Sequence, residues 1–180
     1  MRSFTWRIDD EASIRPFTVE DAEALYALVD ANRERLAQWF PWVDGSTGPE
    51  SQRTFIERSI ASDTDVEGNG IWVGEELAGS IGMSVDVIGN SADIGYWLDE
   101  AFEGRGLVTR ACALFIDHGF TVMGLHRIVI RAAIDNARSR AVAERLGFTE
   151  EGTGRENGRV GGGRYVDLVT YGLLDREWKG

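Results

Sequence analysis

Cysteine and histidine are scarce in this chain, which narrows the chemistry it can carry, and lysine is as scarce as cysteine. One cysteine, Cys112, excludes an internal disulfide framework. It falls among small and apolar residues of a helical pattern, so packing is its expected role; a nucleophile would need a base beside it, and the chain offers only the distant His118 and His126. Neither histidine has an identifiable carboxylate or nucleophile partner, and neither is assigned a role. Lys179 is the only lysine among 19 basic residues, and the formal net charge is −11. That acidity argues against a nucleic-acid partner and towards solubility, salt tolerance or attraction of cationic substrates, without choosing among them. The longest apolar runs fall well below the roughly 20 residues that cross a bilayer, and no basic-then-apolar leader pattern opens the chain. The expected location is the cytoplasm, with no membrane partner. No group of residues suggests a metal site.

What the chain has is a core-forming composition: 180 residues, 43% hydrophobic and 10% aromatic, with no internal repeat and no break in composition. A single domain over 1–180 is expected. The most informative stretch is Glu103-Gly104-Arg105-Gly106-Leu107-Val108-Thr109. It follows the apolar run Ile94-Gly95-Tyr96-Trp97-Leu98 and opens a helical pattern from Gly106 to about Gly119. Strand, glycine loop and helix in that order form an anion-binding arrangement, because glycines let backbone approach a ligand and the first helical turn carries unpaired N–H groups. Arg105 adds a cation. No Gly-Lys-Ser/Thr follows, and the third glycine and downstream acid of a dinucleotide fingerprint are missing, so nucleoside triphosphate and NAD readings fall back. A strand over Arg127–Ile134 and a helical stretch within Asp135–Phe148, stopped at Gly147, complete a β-loop-α-β-α order.

With these residues in place, the chain resembles the GNAT superfamily of acyl-CoA-dependent N-acyltransferases, and within it the Rim type that acetylates N-termini of ribosomal proteins. The resemblance is carried by Gly95-Tyr96-Trp97-Leu98, Gly104-Arg105-Gly106, Asn136-x-x-Ser139 and Leu146-Gly147-Phe148. It extends to Trp39-Phe40-Pro41-Trp42 and to Tyr165-Val166-Asp167 through Trp178. It implies an α/β fold, a single GNAT-like domain whose central mixed sheet is strongly bent and carries helices on both faces. It also implies acetyl-CoA or another acyl-CoA as co-substrate, and an amine acceptor such as a protein N-terminus.

Carried over residue by residue, the cofactor-binding positions are Trp97, Leu98, Gly104, Arg105, Gly106, Leu107, Val108, Thr109 and Asn136, and the catalytic candidates are Ser139, Asn136 and Glu156. The strand ending at Trp97-Leu98 is expected to splay from its neighbour and free main-chain groups for the pantetheine arm. Ser139 would protonate the departing thiolate and Asn136 would orient the pantetheine. From spacing alone, the same pair reads as a helix cap followed by an exposed serine. Three departures stand out. The loop's first and last family positions hold Glu103 and Val108, so the Glu103 carboxylate is expected to turn away from phosphate. The family's glutamate also falls slightly after Glu156, where this chain has Gly158. A solvated ion pair of Glu156 with Arg155, Arg159 or Arg164 is the competing reading, with a water chain acting as base.

Elsewhere, Ser13–Phe17 reads as a first strand, Thr18 as a cap, and Asn32–Trp42 as a helical stretch interrupted at Pro41. Glu50–Ala61 reads as a helix burying Phe55, Ile56 and Ile60, and Asp63–Gly70 as a polar linker. Ile71–Val85 reads as a hairpin with an acidic turn, and Ala92–Leu98 as a strand. Phe148–Glu156 and Tyr165–Leu174 read as strands joined by a mobile glycine-rich loop. Trp39-Phe40-Pro41-Trp42 supplies an acceptor-site wall, a homodimer contact or plain core. Two other functions compete: acylation of a small cationic amine such as an aminoglycoside or polyamine, and a cofactor-binding sensor without catalysis.

Overall fold

In the computed structural model, which describes residues 5–62, 64 and 66–180, one eight-stranded sheet runs through the molecule. Its strands are β1 (Trp6–Arg7), β2 (Ala12–Pro16), β3 (Asn69–Val73), β4 (Glu76–Asp86), β5 (Ser91–Leu98), β6 (Arg127–Ala133), β7 (Thr149–Arg159) and β8 (Tyr165–Leu174). They lie in the order β1-β2-β3-β4-β5-β6-β8-β7. Every neighbouring pair is antiparallel except β5 and β6, so the sheet is mixed as expected.

Strand alternation sends successive side chains to opposite faces, and two cores result. Ile71 joins one and Trp72 the other. On the first face lie α4 (Leu107–Thr121) and α5 (Ala137–Arg145), with Leu107, Ala111, Phe115, Val142 and Ala143 buried. On the second lie α1 (Ala22–Ala31), α2 (Arg33–Ala37) and α3 (Pro49–Ala61), which bury Leu25, Val29, Leu36 and Ile56. Helix α4 sits close to the sheet through Gly119, where an added Cβ would lie 3.0 Å from Ile128 Cδ1 and 3.5 Å from Met83 Cε. Its spacing of buried positions, 107, 111, 112, 115, 116 and 119, is the 3.6-residue stripe of a core-facing helix. Among the described residues no helix is long and apolar enough to cross a membrane.

Several expectations need correction. The two-residue β1 was not anticipated; it pairs Trp6 with Ile14, and its indole meets Phe115 edge-on at 4.9 Å. Ile60 is 52% exposed, because α3 turns Gln52, Ile56 and Ser59 inward instead. That inward face is partly polar: Gln52 Nε2 donates to Ser46 Oγ at 2.6 Å. Of the expected linker Asp63–Gly70, Asp63 and Asp65 lie outside the described residues. Val66 is fully buried, its carbonyl accepting from Met83 N at 2.8 Å, and Asn69 and Gly70 already belong to β3.

The glycine-rich loop after β7 is anchored. Val160 is buried, Gly162 N–H donates to Asp44 Oδ2 at 2.9 Å, and Gly161 packs so tightly that a Cβ would lie 2.5 Å from the Ala37 carbonyl oxygen. Helix α2 stops at Ala37, and a short 3₁₀ turn over Pro41–Gly45 receives this loop.

Candidate active site

The parallel junction is short. β5 and β6 pair only through Ser91, Ala92 and Asp93 with Arg127, Ile128 and Val129, whereas β5 runs on to Leu98 and β6 to Ala133. Their outer partners, β4 and β8, follow them along their whole length. The strands therefore part beyond Asp93, and Arg131 grips the Asp93 carboxylate at the fork with contacts of 2.8 and 3.0 Å. The main chain of Ile94–Leu98 faces an opening on that side, as the splayed strand was expected to. Beside it lies a cleft of about 1180 Å³ lined by Phe40, Trp42, Phe55, Gly95, Tyr96 and Trp97 among others. Trp42 stacks within the chain, 5.6 Å from the Phe40 ring and 6.4 Å from that of Trp97. Trp42 stays 40% exposed beside the cleft.

At the end of β5 the chain turns through Gly104 and Gly106, with φ of +76° and +70°, where side-chain-bearing residues are strained. Leu107 is buried and roots the helix in the core. The first intrahelical bond of α4 is Arg110 N to Gly106 O at 3.1 Å, so the amides before it, through Thr109, have no carbonyl one turn back to donate to. Val108 packs on the core's rim, and a bulkier side chain at that family position is thereby accommodated. Arg105 does not reach over the loop: its guanidinium pairs with Glu11 at 3.0 Å and stays 42% exposed. The Glu103 carboxylate lies between two guanidiniums, Arg35 at 2.7 Å and Arg138. Arg35 also donates to Asn32 Oδ1 at 2.7 Å and to the Leu98 carbonyl. The unfavourable anion of the departure is thus offset by two cations from α2 and α5.

Across the opening, Asn136 caps α5: its Oδ1 accepts from Ser139 N–H at 3.1 Å. Ser139 is half-buried rather than exposed. Its Oγ lies 3.0 Å from Tyr96 Oη, which also donates to the Ser139 carbonyl at 3.2 Å. Burial pushes the Tyr96 phenol up from its ordinary range, the adjacent Cys112 adds to this, and the Ser139 hydrogen bond offsets part of it. Cys112 is fully buried, and burial likewise pushes its thiol up, as suits a packing residue and not a nucleophile.

Glu156 stands apart. It is exposed, at φ +50° in a break of the β7–β8 register, with its N–H donating to Asp167 Oδ1 at 2.8 Å. It borders a second cavity of about 610 Å³ with Gln38, Trp39, Asp135 and Arg164, not the cleft holding Tyr96. Among the described residues it forms no ion pair with Arg155, Arg159 or Arg164.

A family model described as an acetyltransferase (GNAT) domain matches residues 12–149. The chain belongs to the GNAT family. A putative ribosomal N-acetyltransferase of Bacillus subtilis is 37% identical over 182 residues, covering 98% of this chain and 98% of that one. Among solved structures, a RimL ribosomal L7/L12 alpha-N-protein acetyltransferase in complex with coenzyme A matches with a TM-score of 0.89 at 28% identity, covering 95% of this chain and 98% of that chain. The microcin C7 self-immunity acetyltransferase MccE, in complex with acetyl-CoA and AMP, matches with a TM-score of 0.84 at 28% identity, covering 93% and 94%.

As a GNAT protein this chain is an N-acetyltransferase that takes its acyl group from acyl-CoA. The residues brought together by its fold are Trp97, Leu98, the Gly104–Thr109 loop, Asn136 and Ser139. Three that sequence reasoning left without a part also converge there: Arg35, Arg138 and the hydroxyl of Tyr96. For Tyr96 a signal existed, since alternation along Gly95-Tyr96-Trp97 must send Tyr96 to the α5 face if Trp97 faces the cleft. For Arg35 and Arg138 none did.

Proposed function

We propose that this GNAT enzyme transfers an acetyl group from acetyl-CoA to the α-amine of a protein or peptide N-terminus, a ribosomal protein being the acceptor favoured by its relatives. The observation carrying this reading is the three-pair junction of β5 and β6. It leaves Ile94–Leu98 backbone open between the glycine loop and an aromatic cleft. The diphosphate of the coenzyme lies on the Arg105–Thr109 amides, where helix-end N–H groups and partial positive charge converge. The pantetheine follows the freed edge at Trp97 and Leu98 towards Asn136 and Ser139, and the acceptor enters from the side of Trp42.

An α-amine, with pKa near ~8, is about one quarter unprotonated at pH 7.5, whereas lysine, near ~10.4, is about one part in a thousand unprotonated. An N-terminal acceptor therefore asks little of a protein base, and solvent water takes its proton. As the tetrahedral carbon re-forms its carbonyl, the C–S bond breaks and sulfur takes the proton of Ser139 Oγ. The serine is reprotonated from water, balancing the proton that nitrogen has released. Exposed Glu156, bordering the other cavity, is left out of this route.

Mass spectrometry after incubation with acetyl-CoA and a panel of free-N-terminal peptides, Nα-blocked lysine peptides and polyamines tests the reading. Label on α-amines is expected. Turnover of polyamines alone, or coenzyme A binding with no turnover, would refute it.

A further inference from the structure

We infer that Tyr96 is a positioning residue for catalysis: its hydroxyl, reaching across the opening between β5 and α5, fixes the Ser139 side chain and leaves that serine's own proton free for the departing sulfur. The inference rests on the role proposed for Ser139 and adds what makes that role workable.

Tyr96 belongs to the part of β5 beyond the last β6 pair at Asp93, and Ser139 lies in the first turn of α5. The two residues come from opposite sides of the fork, 43 positions apart, yet Tyr96 Oη sits 3.0 Å from Ser139 Oγ and 3.2 Å from Ser139 O. A phenol carries one proton. The carbonyl can only accept, so Tyr96 binds it as donor, and the same proton is within reach of Oγ. Shared between the carbonyl and Oγ, that one proton holds the serine oxygen from the tyrosine side; given to the carbonyl alone, it would leave the Ser139 O–H to donate to Oη instead. When Tyr96 donates to Oγ, the Ser139 O–H is directed elsewhere, and the remaining direction is the opening.

Tyr96 itself is well fixed. Its ring packs against the first core, and burial, with a further contribution from Cys112, pushes its phenol up, so it resists ionisation and remains a donor through the pH range of the reaction. A free serine hydroxyl samples three rotamers of comparable energy. One held from the side pre-orients the proton, which is where general-acid efficiency comes from.

The test is a double-mutant cycle of Tyr96→Phe and Ser139→Ala, with kcat and KM for both substrates. Melting scans accompany it, and every assay is run below the lowest midpoint. Tyr96→Phe is expected to lower kcat about 10-fold with both KM values within about twofold. In the Ser139→Ala background it should have no further effect. Equal losses in both backgrounds, an unchanged kcat in the single variant, or a loss carried by KM would each overturn the inference. Full kcat in Ser139→Ala alone would instead overturn the role of Ser139, so the two failures are distinguishable.

Discussion

Placing an aspartate at Gly106 separates the backbone requirement of the glycine loop from its charge requirement. Gly106 sits at φ +70°, where a side-chain-bearing residue costs about 1–2 kcal/mol. An added Cβ would lie 2.9 Å from Arg110 Nη1, the far end of a flexible side chain that can move aside. Both costs fall on the free and the liganded protein alike, so Gly106→Ala should lower stability by about 1–2 kcal/mol and weaken coenzyme A only as far as its methyl crowds the approach of the diphosphate. Aspartate adds an anion. At ~6 Å from a diphosphate charge, repulsion is about 0.7 kcal/mol in bulk water and about 2.8 kcal/mol at an effective dielectric of 20. Two such charges imply a loss of at least about 10-fold in affinity. Calorimetric titration of coenzyme A into wild type, Gly106→Ala and Gly106→Asp measures the difference. Because surface repulsion is screened over about 8 Å at physiological salt and about 3 Å at 1 M, the gap between the two variants should narrow as salt rises. A folded Gly106→Asp protein that binds coenzyme A as Gly106→Ala does would show that the diphosphate lies elsewhere.

Ser139→Ala is expected to lower kcat by about 10²–10⁴-fold with little change in substrate affinity. The α5 cap belongs to Asn136, so it is Asn136→Ala, read by thermal melting, that should cost about 1 kcal/mol of stability. Glu103→Gln releases Arg35 and Arg138 from their shared carboxylate, and coenzyme A should bind a few-fold more tightly; unchanged or weaker binding would contradict the offsetting described here. The Asp21 carboxylate is opposed by burial. It is nevertheless held below its ordinary range by Arg15, at 2.8 and 3.0 Å, and by the Thr18 N–H at 2.8 Å. Its contribution is therefore present above its unfolded pKa of about 3.9 and is lost as pH falls through the lower folded value. Asp21→Asn should lose about 1.5–3 kcal/mol at neutral pH, and the gap from wild type should close below about pH 4 in acid melting curves.

Local pattern revealed local structure. The stripe of α4, the alternation of β5 and β6, and the glycines at 104 and 106 all stood in the sequence because each depends on residues a few positions apart. What was misread depended on distant partners. Glu103 was expected only to turn away from phosphate, with no partner legible for it, because the guanidiniums that receive it come from Arg35, 68 residues earlier, and from Arg138. The loop around Gly161 looked mobile on composition, yet Asp44, 118 residues from Gly162, holds it. Ile60 was expected to be buried with Phe55 and Ile56, whereas the inward face of α3 borders the cleft and carries Gln52 and Ser59. The three-pair limit of the β5–β6 junction leaves no mark on either strand's pattern, and only the family resemblance anticipated it.

That junction also has a bearing on how long the protein lasts. Only three residue pairs join β5 to β6, so beyond Asp93 the two halves of the sheet are held together by α4 and the first core that spans them, and a coenzyme seated in the gap would act as part of the wall. A ligand bound only by the folded chain stabilises it by about 2.7 kcal/mol when present at 100 times its Kd. Without its coenzyme the protein would lack that increment, so limited proteolysis should cut the free protein sooner than the coenzyme-bound one.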